Sequence, residues 1–356
     1  MSLFRSSLAS LRAYVPTPPQ KGHRLHLNEA PEDLPADFKA QIASGLAALD
    51  WSHYPEATDA LVSELAEHDR WRPEGVLVGN GSNEFLQALV FATIDPGDTV
   101  VLAAPSFSLY GTQARAAGAR LVEVPMRAHA GEPFQFDVDR LVAAANESRA
   151  KLILVATPNN PTGTLLPSDA VAALHDRTSA LVAIDEAYRH FARQDLVPVL
   201  RDRPRLALLR TFSKSYAAAG LRLGYLLAAP ELCTELHKLM MPYNLGALST
   251  EVARELLRRD DLVETRVQSI IAERTRTEQR LAKLPSLRVE ANGGANFVVV
   301  EHESFAAKDL AQALADRGVL VRDLSGYAGC GRCLRISVGL PAANDAMLAA
   351  MTELAR

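Results

Sequence analysis

The chain reads Thr211-Phe212-Ser213-Lys214-Ser215-Tyr216 and, after three alanines, Gly220-Leu221-Arg222-Leu223-Gly224-Tyr225. Lysine is the side chain that forms a Schiff base with an aldehyde cofactor. Small hydroxyl residues flank Lys214 and Arg222 follows it, a layout that suits an aldehyde that also carries a phosphate. Pyridoxal phosphate is such a cofactor. Lysines beside serines are also common at protein surfaces, so this interpretation requires partners elsewhere in the chain.

The composition is that of a soluble globular protein. The 356 residues are enough for two domains, and hydrophobic residues make up 48% of them. The net charge of -4 gives no strong attraction to nucleic acid or to anionic membranes. The apolar runs fall short of the roughly 20 residues that span a bilayer. We therefore expect small-molecule substrates as partners, and neither nucleic acid nor a membrane.

The three cysteines, Cys233, Cys330 and Cys333, are few and odd in number. Such a set favours a reducing compartment without a disulfide framework, and we expect a cytoplasmic protein. Cys330 and Cys333 have the spacing of half a zinc site, but a zinc site needs four ligands and the sequence has no second pair. We interpret them as two incidental thiols and expect no metal.

The N-terminal segment has an unusual composition. Residues 1–28 contain no acid and several serines and arginines, which resembles a transit peptide. Pro16, Pro18 and Pro19 interrupt any long amphipathic run. We interpret the segment as an extended N-terminal arm, with import into an organelle as the alternative.

Short apolar runs alternate with helical patterns in the middle of the chain. The predicted buried strands are residues 76–78, 99–102, 121–124, 152–155, 181–184, 206–210 and 224–227. Helical patterns separate several of them, such as residues 83–93 and 168–178. This alternation predicts an α/β fold: a large domain, residues 41–250, with a mainly parallel seven-stranded sheet covered by helices. Ligands of such sheets bind at the carboxyl ends of the strands.

The C-terminal part has a different pattern. Residues 249–284 are helical and rich in arginine, and we interpret these arginines as a solvated face or as ion-pair partners. A strand at 296–300, a helix near 307–317 and strands near 319 and 334–338 follow. They predict a small α+β domain, residues 251–356, that packs with the N-terminal arm, residues 1–40.

Pyridoxal phosphate requires a carboxylate at its ring nitrogen, and Asp185 is the candidate. Asp185 ends a buried strand, and the carboxyl end of a strand faces the ligand crevice. A carboxylate there keeps the nitrogen protonated because an opposite charge favours the ionised form. An aspartate that caps the next helix is the alternative. The apolar run before Asp185 and the nearby Tyr188 favour the cofactor role.

The remaining candidates also follow strands. Asn160, in Pro158-Asn159-Asn160-Pro161-Thr162-Gly163, can donate to the phenolic oxygen of the cofactor, although Asn, Pro and Gly also form ordinary turns. Tyr188 can donate to the same oxygen. Phe107 can stack on the ring or pack in the core, and its spacing does not separate these roles. A glycine turn before a helix, together with hydroxyls and an arginine, predicts a phosphate site. Its candidates are Gly81, Ser82, Asn83, Thr211, Ser213 and Arg222.

These motifs, in their order along nearly the whole chain, resemble those of the fold-type I, pyridoxal-phosphate-dependent aminotransferases of class I/II. Within that family the chain is most similar to the histidinol-phosphate aminotransferases. The supporting stretches are Leu27-Asn28-Glu29, His53-Tyr54-Pro55-Glu56, Pro242-Tyr243-Asn244-Leu245, Val321-Arg322 and Leu334-Arg335-Ile336-Ser337-Val338-Gly339. Tyr14 stands where that family has a tyrosine on the arm near the substrate.

The resemblance implies transamination of L-histidinol phosphate with 2-oxoglutarate, a step of histidine biosynthesis. It implies that Lys214 binds the cofactor and carries the proton, with Asp185 and Tyr188 as catalytic partners. It also implies a homodimer in which Tyr54 reaches the cofactor phosphate of the neighbouring subunit. The substrate-binding residues that it implies are Tyr14, Asn28, Tyr243, Arg322 and Arg335.

Three other functions use the same scaffold. An aromatic amino acid aminotransferase would need Arg335, and Arg322 would then be incidental. A pyridoxal-phosphate decarboxylase of a phosphorylated amino acid would differ only in which Cα bond breaks, and release of carbon dioxide would identify it. A non-catalytic regulator is disfavoured by the complete cofactor set.

Overall fold

The computed structural model describes residues 3, 5–8, 11, 21–55, 58–127, 129, 132–290 and 293–355. Its strands are β1 (His23–Leu25), β2 (Val76–Gly79), β3 (Thr99–Ala104), β4 (Arg120–Pro125), β5 (Leu152–Ala156), β6 (Leu181–Asp185), β7 (Leu206–Thr211), β8 (Gly224–Ala228), β9 (Leu287–Glu290), β10 (Phe297–His302), β11 (Val319–Asp323) and β12 (Cys333–Ser337). Its α-helices are α1 (Ala36–Ala47), α2 (Thr58–His68), α3 (Ser82–Thr93), α4 (Ser108–Ala117), α5 (Val138–Ser148), α6 (Ser168–Asp176), α7 (Arg189–Ala192), α8 (Val197–Leu200), α9 (Pro230–His237), α10 (Ala247–Leu257), α11 (Asp260–Leu281), α12 (Ala307–Ala315) and α13 (Pro341–Leu354).

The larger sheet has seven strands in the order β2-β8-β7-β6-β5-β3-β4. Within this sheet β8 runs antiparallel to both of its neighbours, and the other pairs are parallel. Its central strands are apolar on both faces. Val182 and Ile184 of β6 join one core cluster and Ala183 joins the other, because successive side chains of a strand point to opposite faces. The predicted mainly parallel sheet, covered by helices, is confirmed.

The smaller sheet has the strand order β1-β11-β12-β10-β9. Its apolar face packs on α12 and α13, with Leu310 and Met347 in the same core cluster. β1, from the N-terminal arm, pairs in parallel with β11, so that Leu25 lies beside Val321. Residues 23–25 of the arm are therefore a strand of this sheet. Strand β9 was not predicted, and the division of the chain at residues 40 and 250 stays a prediction.

The arginine-rich C-terminal segment differs from the expectation in one respect. It forms two helices, α10 and α11, and two arginines of α11 are buried instead of solvated. Arg266 donates to the main-chain oxygen of Ser215 at 3.1 Å, and Arg274 donates to that of Ala295 at 2.6 Å. These side chains satisfy backbone carbonyls that would otherwise lack partners in the interior.

The carboxyl ends of the central parallel strands meet at one edge of the larger sheet. Ala156 of β5 lies beside Asp185 of β6, which in turn lies beside Leu209 of β7. The described part of the arm passes this edge on its way from β1 to α1. Within the described residues, every helix is too short or too polar to cross a membrane.

Candidate active site

A cavity of about 320 Å³ lies at this edge, between the larger sheet, the arm and the smaller sheet. It brings together most of the residues that the sequence predicted for a cofactor and its substrate. Those that line it are Asn28, Ser82, Asn83, Phe107, Asn160, Asp185, Tyr188, Thr211, Ser213, Lys214, Arg222, Arg322 and Arg335. Gly81 stands just behind the lining, at the start of α3.

Lys214 follows the carboxyl end of β7 and projects into the cavity, where its Nζ donates to two carbonyl groups of the arm. The acceptors are the main-chain oxygens of Leu27 and Asn28, at 3.3 and 3.0 Å. Desolvation, followed by the charge of Arg335, lowers the pKa of Lys214 from 10.5 to about 8. At pH 7 about a tenth of this amine is therefore uncharged, far more than for an ordinary lysine, and the uncharged form is the one that acts as a nucleophile.

Asp185 ends β6 with its carboxylate in the same cavity. Its Oδ2 accepts a hydrogen bond from the Tyr110 hydroxyl at 2.8 Å, and its Oδ1 accepts one from the main-chain N–H of Ala187 at 3.0 Å. Desolvation nevertheless raises the pKa of Asp185, since it outweighs these two hydrogen bonds. A carboxylate in this state favours a cationic partner, such as a protonated ring nitrogen.

Tyr110 was missing from the sequence interpretation. It lies in the first turn of α4, directly after β3, and it is buried. Its position after Phe107 at a strand-to-helix junction is the signal that could have indicated it. The two rings meet edge to face at 5.6 Å, so Tyr110 also orients the ring of Phe107 along the cavity wall.

The residues predicted for the phosphate meet where α3 begins. Gly81 has φ 82°, a conformation that favours glycine, and a Cβ there would lie 2.7 Å from Nη2 of Arg222. A Cβ on Gly224 would lie 2.3 Å from the main-chain nitrogen of Ser82, so β8 can approach the turn only as glycine. The first N–H groups of a helix lack acceptors within the helix, and they bind phosphate together with an arginine.

Tyr188 and Asn28 belong to one hydrogen-bonded chain at the cavity wall. The Asn28 amide donates to the Tyr188 hydroxyl at 3.0 Å, and Ser337 donates to Oδ1 of Asn28 at 2.9 Å. Both Tyr188 and Asn28 are buried. These hydrogen bonds link the larger sheet, the arm and the smaller sheet, and they therefore fix the position of the Tyr188 hydroxyl.

Two arginines form the positive end of the cavity. Arg322 of β11 and Arg335 of β12 are direct cross-strand partners. Arg335 donates to Oδ1 of Asn160 at 2.5 Å and to the main-chain oxygen of His26 at 2.9 Å. Asn160 therefore uses its oxygen to orient Arg335, and its amide nitrogen is the group that serves as a donor. Two guanidinium groups side by side suit an anion with two negative charges.

Two predicted residues lie outside this cavity. Tyr54 and Tyr243 stack on each other with ring centroids 4.3 Å apart, and they are 72% and 61% exposed. Neither lines the cavity of its own chain. Their roles stay predictions, and Tyr14 falls outside the described residues.

A buried charge cluster supports the site from the opposite face of the sheet. Arg210, which is 2% exposed, contacts Glu186 and Asp69, each with a nitrogen–oxygen distance of 2.7 Å. Glu186 follows Asp185 directly, so the alternation of the strand sends one carboxylate into the cavity and the other behind it. The sequence interpretation missed this cluster, although that alternation was available as a signal.

Comparison with protein families agrees with this geometry. Residues 25–351 match the family described as aminotransferase class I and II. The chain belongs to this family. A relative from Caldanaerobacter subterraneus, named histidinol-phosphate aminotransferase, is 34% identical over 355 residues, which is 99% of each chain. One from Thermococcus gammatolerans with the same name is 35% identical over 335 residues, 93% of this chain and 92% of the relative.

Solved structures give the same result for the fold of this aminotransferase. Histidinol-phosphate aminotransferase from Sinorhizobium meliloti, in complex with pyridoxal-5'-phosphate, superposes with a TM-score of 0.87 at 26% identity. The superposition covers 100% of this chain and 98% of the other. The fold-type I architecture expected for this aminotransferase is thus confirmed.

Proposed function

We propose that this aminotransferase transfers the amino group of L-histidinol phosphate to 2-oxoglutarate, giving imidazole acetol phosphate and glutamate in histidine biosynthesis. The observation that carries the proposal is the pair Arg322 and Arg335 in the cavity of the reactive lysine. Relatives 34–36% identical over at least 93% of the chain bear the name of this activity.

Pyridoxal phosphate is the cofactor of this enzyme, and the residues present fit it. The glycine turn and Arg222 leave room for a phosphate, Asp185 offers a carboxylate to the ring nitrogen, and Lys214 offers an amine to the aldehyde. Ser82, Asn83, Thr211 and Ser213 add donors around the phosphate, while Phe107, Asn160 and Tyr188 would contact the ring and its phenolic oxygen. When bound, the cofactor supplies an aldehyde that exchanges with the amino group and a ring that accepts the electrons of the Cα–H bond.

The side chains have separate tasks. Lys214 Nζ would take the proton from the substrate Cα and deliver it to C4′ of the cofactor, because its lowered pKa lets it act as a base near neutral pH. Asp185 would keep a proton on the ring nitrogen of the cofactor. Tyr188, fixed by Asn28, donates towards the phenolic oxygen. Each group is oriented by a neighbour, which is the preorganisation that catalysis needs.

The two amino donors differ in their charge. Histidinol phosphate carries a phosphate on the carbon next to its reacting carbon, and glutamate carries a carboxylate on the reacting carbon itself. Arg335, held by Asn160 and the His26 carbonyl, is the anchor that suits both anions. Arg322 adds a second positive charge, which stabilises the two negative charges of the phosphate.

A homodimer is part of the proposal. Tyr54 and Tyr243 form an exposed stacked pair away from their own cavity, and Trp51 and Met241 are each 73% exposed as well. Large apolar side chains in such a patch favour a protein partner. We propose that a second copy of the chain covers this surface and that Tyr54 contacts the cofactor phosphate of that copy, with Tyr243 near its substrate.

The location of the enzyme is proposed from its cysteines. Cys233, Cys330 and Cys333 are free thiols buried in the structure. A sparse and odd-numbered set of cysteines favours a reducing compartment, and we propose the cytoplasm.

Steady-state kinetics with histidinol phosphate, phenylalanine and glutamate as donors tests the function. We expect histidinol phosphate to have the highest kcat/KM, and Arg322→Gln to raise its KM much more than that of glutamate. Arg317→Gln, at an exposed ion pair with Glu353, is the matched control. A higher kcat/KM for phenylalanine would favour an aromatic aminotransferase, and carbon dioxide release would favour a decarboxylase. If Arg322→Gln raised the KM for histidinol phosphate and for glutamate equally, Arg322 would not be the residue that recognises the phosphate.

A further inference from the structure

His26 lies at the positive end of the cavity. It is the residue after β1, and the parallel register of β1 and β11 joins Leu25 to Val321. Continuing this register by one residue places His26 beside Arg322, which is the cross-strand partner of Arg335. Partners in neighbouring strands carry their side chains on the same face of a sheet. Three basic side chains therefore form one row, and all three line the cavity.

The imidazole of His26 has a buried nitrogen that is unsatisfied in the described part of the fold. The residue is 7% exposed, and its Nδ1 has no hydrogen-bond partner among the described residues. Arg335 is bound by the main-chain oxygen of His26 and not by its ring. A buried polar atom without a partner costs free energy, and in a binding cavity a ligand can supply that partner.

The charges around the ring make its protonation sensitive to an anion. Burial, followed by the charge of Arg24, lowers the pKa of His26, Arg322 and Arg335 lower it further, and Glu29 opposes them. A dianionic phosphate beside the two arginines offsets their charge and favours the imidazolium. A single carboxylate offsets less of it.

We propose that His26 is a specificity-determining residue for the phosphorylated substrate. Its ring takes up a proton from solvent when a dianionic phosphate ester binds beside Arg322 and Arg335, and the Nδ1–H then donates a hydrogen bond to the ester. Glutamate, with a carboxylate at this position, uses the arginines alone. The inference rests on the proposed function, since it assumes that a phosphorylated donor enters the cavity.

The coupling is measured on the cofactor-loaded enzyme with sulfate, a probe that stays dianionic across the neutral range. Histidine labelled with ¹³C at Cε1 is titrated by NMR with and without saturating sulfate at matched ionic strength. His26→Asn assigns the signal, and His26→Gln assigns it if the first variant is insoluble. We expect sulfate to raise the pKa of His26 by about one unit. An unchanged pKa overturns the proposal.

Kinetics then tests the specificity. His26→Asn keeps a donor that does not titrate, and we expect it to raise the KM for histidinol phosphate about tenfold, since one pKa unit corresponds to a factor of ten. The KM for glutamate should change less than about twofold. His23→Asn, on the exposed part of β1, is the control. Equal changes for both donors overturn the proposal. A wild-type enzyme that does not use histidinol phosphate overturns the proposed function instead, while the sulfate titration still decides whether His26 couples to an anion.

Discussion

Lys214 Nζ donates to the main-chain oxygen of Asn28 at 3.0 Å, so this amine is bound to the N-terminal arm. The same Asn28 donates through its side chain to Tyr188. One arm residue therefore positions both the amine and the phenol of the site. The amine must leave these carbonyl groups to react, and its lowered pKa makes that departure easier because an uncharged amine loses less from broken hydrogen bonds.

Lys214→Ala should abolish covalent attachment of pyridoxal phosphate together with the activity. Borohydride reduction of the loaded enzyme followed by peptide mapping should place the label on Lys214 in the wild type and on no residue in the variant. Transamination should fall by at least about a thousandfold, because the variant lacks both the anchor and the proton carrier. Lys238→Ala, at an exposed ion pair with Glu235, should retain the label and the rate. Activity that survives in Lys214→Ala contradicts the mechanism.

Lys214 should also make the stability of the cofactor-free protein depend on pH. Its pKa is about 8 in the folded state and 10.5 when unperturbed, so the unfolded chain binds more protons between these values. The free energy of unfolding should therefore gain a contribution as the pH rises from 8 to 10.5, by at most about 3 kcal/mol. Denaturant unfolding of the wild type and of Lys214→Met across this range measures the difference. Identical pH profiles would mean that the amine is not perturbed in the fold.

Tyr110→Phe should weaken the binding of pyridoxal phosphate by about tenfold. The hydroxyl of Tyr110 donates to Asp185, and this hydrogen bond favours the charged carboxylate that the ring nitrogen needs. Fluorescence titration of the cofactor-free protein gives the dissociation constant. Tyr225→Phe is a matched control, because its buried hydroxyl has no hydrogen-bond partner among the described residues. If both variants bind equally well, the contact with Asp185 has no part in holding the cofactor.

Arg210→Met should lower the free energy of unfolding by roughly 3–5 kcal/mol. Removal of the guanidinium leaves Glu186 and Asp69 as buried charges without their main partner. Urea unfolding of the cofactor-free protein measures the loss. Arg317→Ala removes one partner of an exposed ion pair and should cost less than about 1 kcal/mol. Losses of similar size would show that the buried cluster contributes no more than a surface pair.

The central strands and the placement of the main candidate residues in the cavity were predictable because each depends on a short stretch of sequence. β6 is an apolar run that ends in Asp185, and the carboxyl end of a parallel strand faces the crevice whatever the rest of the chain does. Lys214 was identified by its immediate neighbours in the same way. Local patterns suffice where the function of a residue follows from its place at the end of one strand.

Contacts between distant segments were not predictable from such patterns. Tyr110 and Asp185 are 75 positions apart, and their hydrogen bond depends on how α4 packs on the sheet. The burial of Arg266 depends on α11 lying against the loop that contains Lys214. The row formed by His26, Arg322 and Arg335 requires the register of three strands from two ends of the chain. A sequence pattern alone specifies neither packing nor register.

Mixed dimers should reveal whether Tyr54 acts across a subunit interface. Tyr54→Ala and Lys214→Ala should each have little activity alone. In a dimer with one chain of each kind, the chain that keeps Lys214 receives Tyr54 from its partner, so one site of the two becomes complete. Unfolding the two variants together and refolding them should therefore restore activity, to about a quarter of the wild-type rate if the chains pair at random. Size-exclusion chromatography with light scattering confirms the dimer.

The control for this experiment is a pair of substitutions within one site. Lys214→Ala mixed with Asp185→Asn should not regain activity, because both residues belong to the same chain's cavity and a completed site would need them together. Every site in that mixture lacks either Lys214 or Asp185. Should the Tyr54 mixture also stay inactive while the dimers form, Tyr54 serves its own chain or the interface alone. Its exposed stack on Tyr243 would then be a structural contact and not part of a shared site.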